Sequence, residues 1–268
     1  VIVRSGDGRV FGLDAATGAR KWVYQRTLPA LTVRTHVSVQ PYRGAVFAGF
    51  PSGRLVAISA SNGNLIWEAT VALPKGATEL ERVADVTSIP VTDGRQVCAA
   101  AYQGRVACFG TTKGELIWAR DFSSVSGLTM DARNVYVTDA EGKNGKGHVM
   151  IKFSPEGKVL MTLGKPGIAG AGTDEFNRPS DVAVAANGDI YVADGHAGDS
   201  NARIVKFSKD GKFIKTWGKK GSAPGEISEP HSIALDAQGR VFVADRGDNN
   251  RVQIFDGDGK FIAEWKHL

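Results

Sequence analysis

Residues 187–217 read NGDIYVADGHAGDSNARIVKFSKDGKFIKTW. Asp189–Ala193 alternates apolar and polar residues, Gly195–Asn201 is a Gly/Asp/Ser/Asn loop, and Arg203–Phe207 alternates again. Ser208–Gly211 is then a tight turn and Lys212–Trp217 a further strand, while Asp181–Ala185 ahead of the stretch supplies an inner one. A unit of four short antiparallel strands cannot bury both its faces alone, so successive copies must stack face to face.

The copies are counted by the glycine that ends the turn before each last strand. These are Gly18, Gly63, Gly114, Gly157, Gly211 and Gly259, at intervals of 45, 51, 43, 54 and 48 residues. The fold expected is therefore all-β: a single β-propeller over residues 1–268, with six blades of four antiparallel strands. The closing apolar residue changes place in mid-chain. Trp22, Trp67 and Trp118 lie four residues after their glycine, whereas Leu163, Trp217 and Trp265 lie six after theirs. Both offsets are even, so the closing side chain keeps to one face of its strand.

Composition narrows the class. With 42% apolar and 23% charged residues and 33 glycines in 268, the chain reads as a globular, turn-rich β protein, and no stretch approaches the ~20 apolar residues of a membrane-spanning helix. The net charge of +5 is spread over strands and turns without a basic run, which argues against nucleic acid. The sequence starts at Val1 in mid-strand, without Met, signal peptide or lipidation Cys, and so reads as a processed or truncated chain. In QVCAAAYQGRVACF, a hairpin centred on Gln103 sets Cys98 opposite Cys108. A cross-strand disulfide fits that geometry, and so do two small buried thiols.

In chain order, the first copy has strands at Val1–Ser5, Arg9–Asp14 and Ala19–Gln25 and lacks its inner one. The second has Thr35–Val39, Ala45–Gly49, Arg54–Ser59 and Asn64–Thr70, and the third Asp85–Pro90, Gln96–Ala101, Arg105–Gly110 and Glu115–Asp121. A fourth opens with Val125–Met130 and Asn134–Asp139. Six copies less one strand give 23. The unpaired edge of the first copy predicts a soft seam against the last copy, and an edge open to self-association. The long connections Arg26–Arg34 and Val71–Ala84 are where partner contacts are expected.

The first three copies carry DGRVFGLDAATGARKW, SGRLVAISASNGNLIW and QGRVACFGTTKGELIW, which resemble the pyrroloquinoline-quinone-type propeller repeat. LPALTVR (Leu28–Arg34) and GATELERVADVTSIPV (Gly76–Val91) resemble, more narrowly, the BamB family, propeller lipoproteins of the outer-membrane β-barrel assembly machine. The resemblance covers residues 1 to about 140. It implies a periplasmic, non-catalytic adaptor that uses no quinone or other cofactor and docks on the periplasmic repeats of the central assembly subunit. It places the docking residues at Leu31, Val33 and Arg34, in a Leu-x-Leu-Arg element with one Leu changed, and at Asp85, in an Asp-x-Asp element whose second Asp is Thr87. An Arg34–Asp85 charge pair would orient the two loops, with Leu31 and Val33 as apolar anchors. Val33 as core and Arg34 as a solvated flank is the alternative.

From 141 to 268 the style changes to GDIYVADG, NARIVKFSKDGKFIKTWG and PHSIALDAQGRVFVADR, which resemble NHL repeats, and in particular peptidyl-α-hydroxyglycine α-amidating lyases. Those are zinc enzymes with three His ligands. His231 stands where one ligand is expected, but His196 occupies the catalytic Tyr position, and the other ligands belong to blades this chain does not share. Of the five histidines, His36, His148, His196, His231 and His267, spacing converges no three. No metal site and no catalytic residue is therefore expected, with His231 the best single candidate. Asp194, Asp245 and Arg246 end second strands, where turn capping explains them as well as catalysis does.

Two repeat styles join near Asp139–Gly145 without a linker, which reads as a hybrid made by recombining two propellers, more readily by design than by nature. Three function classes follow: a scaffold with residual adaptor docking, which is favoured; a zinc-dependent lyase using His231 and Arg246; and a generic loop-face binding module.

Overall fold

The structure, a computed structural model, describes residues 1–33, 37–102, 104–122, 125–141, 145–196 and 198–266. Among these residues 23 strands form six antiparallel sheets in chain order, and no helix of regular length occurs. The first sheet has three strands, β1 (Ile2–Arg4), β2 (Arg9–Leu13) and β3 (Arg20–Gln25). The second has β4 (Gln40–Tyr42), β5 (Ala45–Phe50), β6 (Arg54–Ser59) and β7 (Leu65–Thr70), and the third β8 (Val91–Thr92), β9 (Gln96–Ala101), β10 (Arg105–Gly110) and β11 (Leu116–Asp121). The fourth has β12 (Val125–Met130), β13 (Val135–Asp139), β14 (Val149–Phe153) and β15 (Val159–Leu163). The fifth has β16 (Pro179–Val184), β17 (Ile190–Asp194), β18 (Arg203–Phe207) and β19 (Phe213–Trp217), and the sixth β20 (Glu229–Leu235), β21 (Val241–Arg246), β22 (Arg251–Phe255) and β23 (Phe261–Lys266). This is the six-bladed β-propeller arrangement expected, with the first blade one strand short.

Two inner strands lie elsewhere than the alternation suggests. Instead of Thr35–Val39, the second blade's inner strand is Gln40–Tyr42, because Arg43 and Gly44 both have positive φ (44° and 81°) and make a two-residue turn that pairs Tyr42 directly with Ala45. Residues 34–36 lie outside the described residues. In the third blade Asp85–Pro90 is not a continuous strand; the ladder runs over Val91–Thr92 and recurs as a single bridge at Val86–Ala101. Pro90 has no N–H to give, and the Ser88 hydroxyl accepts the Ala100 N–H at 2.8 Å where a carbonyl would otherwise do so.

One irregularity repeats in all six blades. The pairing of the two outermost strands slips by one residue, at Lys21, Ile66, Ile117, Leu160, Ile214 and Ile262, each three residues after its turn glycine. The bulge is therefore constant, and the closing side chain follows it by one residue in the first three blades and by three in the last three. That difference of two returns the side chain to the same face.

The chain forms two compact units, residues 1–125 with 155–157, and residues 126–154 with 158–268. In the first, apolar faces meet between the first and second blades (Val10, Trp22, Val46, Phe50, Ile58) and between the second and third (Phe47, Leu55, Trp67, Val97, Phe109). In the second, they meet between the fourth and fifth blades (Tyr136, Met150, Val192, Phe207) and between the fifth and sixth (Tyr191, Ile204, Val243, Phe255). Each such large side chain contributes on the order of 2–3 kcal/mol by leaving water.

Candidate functional site

In the first unit the docking loops are organised by Asp85. Its carboxylate is 3% exposed, and its two oxygens accept the backbone N–H of Val33 at 2.6 Å and of Ser52 at 3.0 Å. A buried carboxylate with two N–H donors on different loops acts as a staple between them. Val33 is half-buried beside it, whereas Leu31, two residues earlier, is 44% exposed. Arg34 lies outside the described residues. The guanidinium of Arg4 faces Asp85, donates to the Val37 carbonyl at 3.1 Å and lies over the Phe50 ring; its pKa is lowered by burial, an effect Asp85 opposes. Further along the second loop, Leu73 and Leu80 are largely exposed, and a groove of about 540 Å3 runs past Val71, Leu73, Lys75, Val83, Tyr102 and Arg105.

Cys98 and Cys108 face each other across β9 and β10 and are joined by a disulfide, with Cα atoms 4.0 Å apart and both residues fully buried. That separation belongs to the closely spaced kind of antiparallel pair. Gln103, at the hairpin tip, lies outside the described residues.

In the second unit the residues suggested by the lyase resemblance have distinct roles. Asp194 and Asp245 are structural, and each repeats the other's bonding. Asp194 accepts the Asn177 N–H at 2.8 Å, Asn201 Nδ2 at 2.7 Å and Arg203 Nε at 2.8 Å. Asp245 accepts the N–H groups of Ser228 and Glu229, Asn249 Nδ2 and Arg251 Nε, at 2.7–3.1 Å. The paired arginines then reach the carbonyls of the loop ahead of the inner strand, Ala171, Gly172 and Glu175 from Arg203, and Ser222, Ala223 and Glu226 from Arg251. Each Asp–Arg pair thus clamps a Gly-rich connection that has no regular structure of its own. Burial pushes the Asp194 carboxyl up to about 6, against the pull of Asn201 and Arg203.

His196 and His231 do come together, their rings 5.3 Å apart. The His196 amide lies 2.9 Å from the Ser200 hydroxyl, to which it donates, and Arg246 is held 3.4 Å from Glu229. Partial burial, then the Arg246 charge, holds both imidazoles below the ordinary histidine pKa, so both are neutral at neutral pH. His148 is buried elsewhere in this unit, where its Nδ1 accepts the Arg178 N–H at 3.2 Å. His36 and His267 lie outside the described residues. Among the described residues no three His, Cys, Asp or Glu side chains converge as metal ligands do.

Sequence reasoning missed the inner-strand groups that tie one blade to the next. Ser126 Oγ donates to the Pro179 carbonyl at 2.6 Å, and the hydroxyl of Ser180 to that of Pro230. Asp181 accepts from the Ser232 hydroxyl and the Ile233 N–H, at 2.7 and 3.0 Å, and burial pushes its carboxyl up to about 6. The recurring Pro-Ser-Asp and Pro-His-Ser at the start of these strands is the signal that was available.

The family model described as outer membrane protein assembly factor BamB matches residues 1–160, and the NHL repeat model matches 176–207 and 228–255. BamB of Nitrosomonas eutropha is 52% identical over 139 residues, 52% of this chain and 34% of that protein. Human NHL repeat-containing protein 3 is 38% identical over 142 residues, 52% of this chain and 40% of that protein. The chain thus spans between a third and two fifths of the length of these curated relatives. Among solved structures, BamB from Moraxella catarrhalis aligns with all of this chain and 69% of its own, with a TM-score of 0.69 at 22% identity, a likeness of fold.

Proposed function

Since the chain belongs to the BamB family of outer membrane protein assembly factors, whose model spans residues 1–160, we propose that it is a non-catalytic docking scaffold of that assembly process. Its partner in this reading is the periplasmic repeat region of the central assembly subunit. The observation that carries it is the Asp85 staple, which fixes the loop bearing Leu31 through the Val33 amide and leaves the Leu31 side chain outward. An exposed leucine on a fastened loop is a pre-organised anchor, since little conformational entropy is lost when it is covered. The disulfide fits an oxidising compartment such as the periplasm. The lyase reading has no observation in its favour: two neutral imidazoles beside Arg246 lack a third ligand among the described residues.

We further propose that the chain is a hybrid of two propeller lineages. The two family models meet between residues 160 and 176, and the closing side chain changes its offset from the bulge between the third and fourth blades.

The test of docking is titration of the immobilised periplasmic repeats with the intact chain and with Leu31→Asp. A saturable interaction weakened at least tenfold by the substitution, with unchanged circular dichroism, is the expected result. Equal binding by the variant removes the anchor, and no binding by the intact chain removes the adaptor reading.

A further inference from the structure

Two guanidinium groups lie over the ring of Phe50, which is fully buried at the end of β5: that of Arg4 at 5.1 Å and that of Arg26 at 5.9 Å from its centroid. They are matched to different acids. Arg26 pairs with the Glu68 carboxylate, which Arg54 also approaches at 3.5 Å. Arg4 has the buried Asp85 carboxylate as its electrostatic partner. The two amide donors of Asp85 satisfy its oxygens but leave its net charge, and a charge out of water is stable only when an opposite charge offsets it.

The backbone around Asp85 depends on the same neighbourhood. The Val86 N–H donates to the Phe50 carbonyl at 3.1 Å, and the Tyr102 N–H to the Asp85 carbonyl at 2.7 Å. Gly49 makes room for Val86, since a Cβ there would stand 2.3 Å from a Val86 methyl carbon. Asp85 is thus set against β5 and the β9–β10 hairpin, with its side chain between the loops of Val33 and Ser52.

The connection that bears Leu31 is held on both sides of that residue. Before it, the Arg26 N–H donates to the Gly8 carbonyl at 3.1 Å and Leu28 covers Gly8. After it come the Val33–Asp85 bond and then the bond from Arg4 Nη1 to the Val37 carbonyl, at 3.1 Å. Arg4 therefore reaches from β1 in the first sheet, across a ring of the second, to a carboxylate just ahead of the third.

We propose that Arg4 is a positioning residue of the docking surface: its charge balances the buried Asp85 carboxylate, so that Asp85 keeps hold of the Val33 and Ser52 amides and Leu31 stays presented. The consequence for docking rests on the reading given under Proposed function; the hold on the two amides does not.

The test is amide hydrogen exchange, read by NMR, on the intact chain, Arg4→Gln, Asp85→Asn and the double variant, followed by titration of the immobilised periplasmic repeats with each. Gln keeps a donor for the Val37 carbonyl and much of the stem, and loses the charge. In Arg4→Gln the Val33 and Ser52 amides are expected to exchange at least about tenfold faster, with the buried Ala57 and Ala107 amides of β6 and β10 within about threefold of the intact chain, and binding of the repeats to weaken. Asp85→Asn removes the charge that Arg4 balances, so adding Arg4→Gln to it is expected to change neither amide further. Two amides as slow in Arg4→Gln as in the intact chain, exchange that rises throughout the first unit, or a double variant whose losses add overturns the proposal. So does an Arg34→Gln chain that frees the two amides where Arg4→Gln does not, since the countercharge is then Arg34. If Arg4→Gln fails to fold, the double variant decides: folding restored by Asp85→Asn supports the balance of charge, and a double variant that stays unfolded overturns it. Fast amides with undiminished binding overturn the positioning role. An intact chain that does not bind the repeats removes the docking reading, and the exchange still decides whether Arg4 holds Asp85.

Discussion

At the residue scale, position decides what a titratable group can do. His196 and His231 share one small neighbourhood with Arg246, where partial burial first, and the guanidinium charge second, disfavour a proton on either ring. Their folded-state pKa values lie below the ordinary value of about 6.5, so as pH falls the unfolded chain takes up protons first. The stability these rings contribute is present above about pH 6.5 and is lost as the pH drops toward their folded values. Asp181 and Asp194, raised to about 6, act in the opposite sense: the folded chain protonates first, between about 6 and the ordinary carboxylate range. Arg246→Gln is expected to move both imidazole titrations upward, read from their Cε1–H proton shifts. A downward move, or none, would show that Arg246 does not set them.

At the scale of the element, the Asp–Arg clamps explain how long Gly-rich connections hold a fixed course. Asp194→Ala strips the partner from Arg203 and orphans the Asn177 amide, and is expected to cost about 3–5 kcal/mol in urea unfolding. Asp7→Ala, at an exposed and solvent-screened turn pair, should cost far less. Equal costs would refute the clamp. Alternation made the outer strands of the first three blades and the second, third and fourth of the fifth legible in the sequence, since Gly/Asp turns bound them closely. The inner strands were harder to read where a positive-φ pair at Arg43–Gly44 or a proline at Pro90 reset the pairing. The clamps were visible only as residues at strand ends, because their meaning rests on partners 6 to 32 residues away. The docking residues Leu31, Val33, Arg34 and Asp85 came from resemblance and not from pattern, and nothing in the spacing foretold that Asp85 would spend its oxygens on backbone amides.

At the scale of the whole molecule, stability is distributed over the contacts between neighbouring sheets, with one covalent addition. The Cys98–Cys108 bond closes a sequence separation of 10, so its reduction is expected to lower unfolding stability by about 2–3 kcal/mol on the loop-entropy account. A reductant-insensitive unfolding midpoint would mean that the β9–β10 hairpin is held by its ladder alone. The adaptor-like and NHL-like stretches use the same joint: Gly63, Gly114, Gly157, Gly211 and Gly259 are each covered by a large side chain of the preceding blade, whatever else differs between the styles.

The slip in the outermost pair of strands has a further consequence. It falls three residues after the turn glycine in every sheet, in both repeat styles. It therefore works as a shared coupling standard, like a common thread on screws from two workshops. Sequence on either side of it can drift, or be exchanged for that of a distant lineage, and the next piece still fits.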